Sequence, residues 1–312
     1  MHSALIGLAV AFLIDLLFGD PPNRFHPVVA MGNVIRYAQK KFNTGSKNKR
    51  FLSGLGTVVI GGVLFSLPWL VLVPLINRLP VWAAGLVVGC FLKPVFSFRN
   101  LIRAGKEIQR CLKADDLAAA RHLVGWHLVS RDTSQLSKNQ VASAAIESLA
   151  ENITDSFLAP LIFFSIAGLP AAWFYRFVNT ADAMIAYHTP ELEYFGKTAA
   201  ILDDILNGLP ARLAGIILVI SAGFLRLNMK CAWHTMTTQN RRTSSPNAGW
   251  TMTAAAGALE VVLEKPGNYR LEGGTQLPDE ESIGHGIRLV RLGLVWCLFI
   301  CGGVLVVVQS IA

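Results

Sequence analysis

The chain has 312 residues, of which 53% are hydrophobic and 15% charged, against about 25% charged in an ordinary soluble domain. With a mean hydropathy of +0.46 it reads as an integral membrane protein. The net charge of +8 is scattered through loops between apolar runs with no DNA- or RNA-binding motif, so it points to membrane topology and not to nucleic acid. The five cysteines lie far apart except Cys297 and Cys301. Those two fall in an apolar run without His or acidic neighbours, as small apolar residues do, and not as a disulfide or metal framework does.

No linker rich in Pro, Gly or Ser divides the chain. It is expected to form one integral membrane domain over residues 1–312, all-α and polytopic, with short or re-entrant apolar helices. Two larger helical polar segments, about 93–156 and 226–288, are assigned to the cytoplasmic side. The N-terminus lacks a basic n-region and carries Asp15 inside its apolar stretch, so it is read as retained.

Ala4 to Leu17 is shorter than the roughly 20 residues of a simple span. An acid such as Asp15 within it is expensive unless it faces a polar interior, which makes it a site candidate. Gly19-Asp20-Pro21-Pro22 and His26-Pro27 follow as a rigid turn, because proline fixes the backbone and removes donors. Asp20 and His26 are candidates there, since rigid loops carry function. A satisfied interfacial histidine is the alternative for His26. Lys40, Lys41, Lys47, Lys49 and Arg50 form a cytoplasmic anchor. Leu52 to Ile76 is the clearest span, and Val81 to Leu92 a shorter one. Arg78, the only basic residue between them, marks an outward connection.

Nine Lys and Arg residues fall between Lys93 and Lys138, which places that segment on the cytoplasmic side. Asp132 or Ser137 is positioned to cap a helix over about Lys138 to Asn152. On that helix Glu147 and Glu151 lie one turn apart, and Asp155 extends the row if the helix continues. Such a row is either a solvated acidic face or one offset by cations. The apolar run Phe157 to Ala172 contains Pro160 and Pro170. It either crosses the membrane, exporting Arg176, Asp182, Asp203 and Asp204, or turns back as a re-entrant hairpin that keeps them with Glu147. Asp203, Asp204 and Asn207 form an oxygen-rich group suited to Mg²⁺, or else a plain solvated pair. Ser245-Pro246-Asn247-Ala248-Gly249 opens a helix of small residues where free amides can meet a phosphate, or serves as an ordinary turn. That helix is predicted to end near Glu264-Lys265-Pro266-Gly267. Leu292 to Ile311 is the terminal span.

These residues together resemble the CobD/CbiB family, the membrane cobinamide-phosphate synthases of cobalamin biosynthesis. The resemblance rests on GDPP and HPV (Gly19 to Pro22, His26 to Val28), SRDTS and ESLAEN (Ser130 to Ser134, Glu147 to Asn152), and YRFVNTADAM (Tyr175 to Met184). LDDILNGLPAR (Leu202 to Arg212), SPNAGW (Ser245 to Trp250) and EKPGNY (Glu264 to Tyr269) complete it. It implies ATP-dependent amide formation between adenosylcobyric acid and (R)-1-aminopropan-2-ol or its O-phosphate. A carboxylate is a poor electrophile, so an acyl phosphate and Mg²⁺ are expected, with ATP as the phosphoryl donor.

On that reading Glu147, Glu151, Asp203 and Asp204 are the metal-linked candidates. Arg131, Arg176, Arg212, Ser245, Asn247 and Lys265 are the candidates for phosphate or substrate carboxylate. Asp20, His26 or Asp182 would take the amine proton. The expected setting is a multi-pass protein of the cell membrane whose partners are the corrinoid and amine substrates, the bilayer and other cobalamin-biosynthesis enzymes. A transporter, suggested by Asp15 and the proline-broken apolar runs, and a non-catalytic scaffold are the competing readings.

Overall fold

The structure is a computed structural model that describes residues 2–129, 132–187 and 189–311. It is nearly all-α, and five of its helical stretches are long and apolar enough to cross a membrane. The chain forms two compact units, one of residues 1–97, 159–206 and 300–312, the other of residues 98–158 and 207–299.

The first unit begins with α1 (His2–Phe18), α2 (Pro27–Phe42), α3 (Lys47–Ile76) and α4 (Val81–Leu92). At 17 and 12 residues, α1 and α4 are about 25 and 18 Å long, short of a hydrocarbon core of about 30 Å. They pack on each other through small residues. A Cβ on Gly7 would lie 2.5 Å from Val88, one on Gly85 2.4 Å from Ile6, and one on Gly89 2.5 Å from Val10. Larger side chains would push the helices apart. Residue numbers rise together along the two contact lines, so the helices are parallel and their C-terminal ends lie side by side. Lys93 follows directly on α4, in a 3₁₀ turn over Lys93–Val95.

The run from Ala159 to Ile185, α8, is not one rod. Ala167 and Gly168 leave helical geometry, with Gly168 at φ 70°, ψ −161°. Phe163 and Tyr175 would stand about 18 Å apart on a continuous helix. Their rings stack instead with centroids 5.3 Å apart, so the two limbs fold back on each other at Gly168. The turn-back has the shape of the hairpin course, with Glu147 in one compact unit and Asp203 and Asp204 in the other. Ser165 supports the first limb by donating to the backbone oxygen of Cys301 at 3.1 Å, and Trp173 Nε1 supports the second by donating to Phe91 O at 3.1 Å.

α5 (Arg99–Lys113), α6 (Leu117–His127) and α7 (Lys138–Ile153) belong to the second unit. Ser137 caps α7 in a capping box with Gln140, which satisfies two of the donors left over at a helix start. From Val141 to Ala150 every residue of α7 is buried, as its alanines and serines allow. A π-helical turn, Thr154–Leu158, follows α7 and takes Asp155 out of regular α-helical register. α9 (Glu193–Phe224) and α12 (Glu280–Ile311) are long helices with segments in both units.

After α10 (Met229–Gln239), the small-residue helix α11 (Ala248–Leu259) stops earlier than its sequence suggests, at Glu260 in a left-handed conformation. In place of the expected helical continuation to about Lys265, the chain forms an antiparallel hairpin of β1 (Val262–Lys265) and β2 (Tyr269–Glu272), with Lys265 paired to Tyr269. The correction has a local cause. Val262 and Leu263 suit a strand, and Pro266-Gly267-Asn268, with Gly267 at φ 75°, forms a three-residue hairpin loop.

Candidate functional site

In the first unit the parallel pairing of α1 and α4 brings their C-terminal ends to Lys93. Its ammonium lies 2.9 Å from Asp15 and 2.6 Å from Asp20. Lys93 is 3% exposed, Asp15 0% and Asp20 22%. Two carboxylates and two helix C-termini, each the negative end of its helix dipole, hold this cation. Ser97 adds a hydrogen bond to the other oxygen of Asp20 at 3.0 Å. The charge pattern groups Lys93 with the basic residues that follow it, and the structure buries it instead. The signal was an acid in an apolar run that needed a partner, and a Lys-Pro closing the next apolar run.

His26 sits beside this cluster and caps α2, Nδ1 accepting from the Val28 amide at 3.2 Å. Burial pushes its pKa below the ordinary value; Asp20 opposes the shift, and Arg176 and Lys93 add to it. With Nδ1 occupied as an acceptor, the neutral ring carries its proton on Nε2 and offers a donor there. A cavity of about 510 Å³ opens against Asp20 and Lys93 of this cluster. Asp20, Pro21 and Lys93 meet Trp69, Phe91 and Trp173 in its lining.

The second limb of α8 carries YRFVNTADAM. Asn179 donates to Asp203 at 3.3 Å, joining that motif to LDD on α9, with Asp203 itself 8% exposed. Arg176, Asp182 and Asp204 are half-buried in this unit. The unit thus gathers Asp20, His26, Arg176, Asp182, Asp203 and Asp204 from segments far apart in sequence.

The second unit gathers the rest. Glu147, 5% exposed, accepts from Ser143 at 2.6 Å and from the phenol of Tyr269 at 2.8 Å. The amide of Glu264 donates to Ser143 at 2.7 Å, so the β-hairpin docks on α7 at the acidic motif and carries Lys265 to its edge. Sequence reasoning passed over Tyr269 and Ser143 as site residues, because only the hairpin brings them to Glu147. Glu151 and Asn152 are half-buried further along α7. Asn152 belongs to a polar ladder, donating to Ser148 O at 2.9 Å and accepting from Ser156 at 2.6 Å.

Arg212 donates to Asn247 at 3.4 Å, and its guanidinium lies 5.0 Å from the Trp250 ring centre. That contact joins NGLPAR to SPNAGW. The Ser245 hydroxyl accepts from the Asn247 amide at 3.2 Å. Arg131 lies outside the described residues. Among the described residues no three His, Cys, Asp or Glu side chains converge as a metal-holding group.

A sequence profile of the family described as CobD/Cbib protein matches residues 8–290. The cobalamin biosynthesis protein CobD of Dehalococcoides mccartyi (strain CBDB1) is 40% identical over 299 residues, 96% of each chain. The probable cobalamin biosynthesis protein CobD of Methanothermobacter thermautotrophicus is 40% identical over 301 residues, 96% of this chain and 98% of its own. That of Methanocaldococcus jannaschii is 38% identical over 270 residues, 86% of this chain and 88% of its own. No solved structure matches the chain. The motifs that fold into the two clusters are thus those of a protein whose relatives match it nearly end to end, and this chain belongs to the CobD/CbiB family.

Proposed function

We propose that this protein acts in cobalamin biosynthesis as an ATP-dependent ligase. It joins a carboxylate of adenosylcobyric acid to the amine of (R)-1-aminopropan-2-ol or its O-phosphate. The observation that carries the reading is the gathering, in one unit, of GDPP, HPV, YRFVNTADAM and LDD around Lys93, Asp20 and Asn179–Asp203.

In the reaction a carboxylate oxygen of the corrinoid attacks the γ-phosphorus of ATP and ADP leaves. The amine nitrogen then attacks the acyl carbon, a C–N bond forms, the C–O bond to phosphate breaks, and the amine gives up a proton. His26 offers Nε2–H as a donor, so Asp20 or Asp182 takes that proton. Arg176, Arg212 and Lys265, with Arg131, bind phosphate or carboxylate oxygens, Arg in bidentate fashion. Ser245 and Asn247 position the turn beside Arg212.

The carboxylates suit Mg²⁺ in the form it takes on nucleotides, where one or two protein carboxylates suffice and phosphate and water supply the other oxygens. Asp203 with Asp204, or Glu147 with Glu151, would hold it, and when bound it offsets phosphate charge. The test is purified protein in nanodiscs with adenosylcobyric acid, ATP, Mg²⁺ and each amine in turn. ATP consumption that requires both organic substrates, with an amide product by mass spectrometry, is the expected result. ATP turnover without them, or corrinoid movement across vesicles without turnover, overturns the proposal.

A further inference from the structure

We infer that the notch where α3 and α9 begin binds the phosphate of an anionic phospholipid. The inference is independent of the ligase reading, since none of the notch residues belongs to the motifs above. The notch is a cavity of about 430 Å³ in the first unit, and Ser46, Lys47, Arg50, Pro190, Glu193 and Tyr194 line it.

Three features give it the chemistry of an anion site. Lys47 and Arg50 against Glu193 leave one positive charge on the lining. Arg50 Nη1 donates to Pro190 O at 3.3 Å, while Arg50 Nε is buried with no partner in the protein. A buried guanidinium donor left unmet is costly, and an incoming phosphate oxygen would satisfy it. Finally, α3 starts at Lys47 and α9 at Glu193, so two long helices turn the positive ends of their dipoles toward one cavity.

The location selects the source of the phosphate. Both helices are long and apolar enough to span a membrane, with hydropathies of 2.3 and 1.8. α3 turns apolar within about a turn of Lys47, so its first residues lie where a bilayer places its headgroups, and Pro190, Glu193 and Tyr194 share the notch with them. α2 ends just before the notch with Lys40 and Lys41 in its last turn, and Lys47 lies 5.2 Å from the Tyr194 ring centre. Basic and aromatic side chains together at that depth suit an anionic lipid headgroup.

The test measures how much phosphatidylglycerol stays on the protein through delipidation, by native mass spectrometry. The protein is reconstituted with phosphatidylglycerol and phosphatidylcholine. Wild type should retain phosphatidylglycerol in preference. Lys47→Gln and Arg50→Gln should each lower that retention about fivefold, while Lys113→Gln leaves it unchanged. Lys47 is exposed, so its variant keeps the fold even if loss of the Arg50 contact to Pro190 unsettles the loop; matching melting temperatures check this. Excess inorganic phosphate should leave the lipid in place. Equal retention of the two lipids, full retention by Lys47→Gln, or displacement by inorganic phosphate overturns the inference, the last assigning the notch to free phosphate.

Discussion

The rings of Phe163 and Tyr175 stack 5.3 Å apart across the turn at Gly168. One residue therefore sets the course of the whole α8 segment. At φ 70°, ψ −161°, Gly168 occupies a backbone region that is essentially closed to other residues, although a Cβ there would meet only Pro170 at 3.7 Å. Gly168→Ala should lower stability by about 1–3 kcal/mol through backbone strain alone. Unfolding in mild detergent checks this, and an unchanged midpoint would remove the hairpin turn from the account.

Lys93 and Asp15 are buried together, and removing one partner of a buried ion pair strands the other charge. Lys93→Met should destabilise the protein by about 3–5 kcal/mol. Adding Asp15→Asn to it should recover part of the loss. A double variant no more stable than Lys93→Met would show that the ion pair does not set the cost.

His26 titrates below its ordinary value of about 6.5, chiefly through burial, with Asp20 opposing and Arg176 and Lys93 assisting. The fold thus favours the neutral ring. The stability this contributes is fully present above the unfolded pKa and is lost as pH falls from there through the lower folded value. Melting temperatures measured from neutral to mildly acidic pH should fall, and His26→Gln should flatten that slope.

Tyr269 donates to the buried carboxylate of Glu147, which Ser143 also serves. Tyr269→Phe should cost about 1.5–3 kcal/mol, towards the lower end because Ser143 still donates to the carboxylate. Turnover in the proposed ligase reaction should fall with it. Unfolding and single-turnover assays on the same preparation separate the two effects.

Asp203→Asn and Glu151→Gln are expected to cut turnover about tenfold or more, the loss that follows when transition-state charge goes uncompensated. Both variants should remain folded and inserted. Raising Mg²⁺ should partly restore at least one of them. No response of either variant to Mg²⁺ would count against a metal-linked role for these carboxylates.

Much of the architecture was legible in the sequence because its determinants are local. Composition and the long apolar runs required a membrane protein, and of the two caps read for α7, Asp132 or Ser137, the structure uses Ser137. The GDPP–HPV connection between α1 and α2 and the placing of Glu147 and Glu151 on α7 were visible as well. The β-hairpin at Pro266-Gly267-Asn268 was local too, but its strands are short and were absorbed into the preceding helix.

What only the tertiary structure decided is who meets whom. Asp15 needed a cation, but many lay along the chain, and the parallel packing of α1 on α4 selected Lys93. Two prolines in Phe157 to Ala172 allowed either a crossing or a turn. The choice was made at Gly168 by contacts of both limbs with residues far along the chain, Cys301 and Phe91. Helix caps and apolar periods act over a turn or two and leave their mark in adjacent residues. Ion pairs, ring stacks and the docking of Tyr269 on Glu147 join segments that only the folded chain brings within reach, so no local pattern records them.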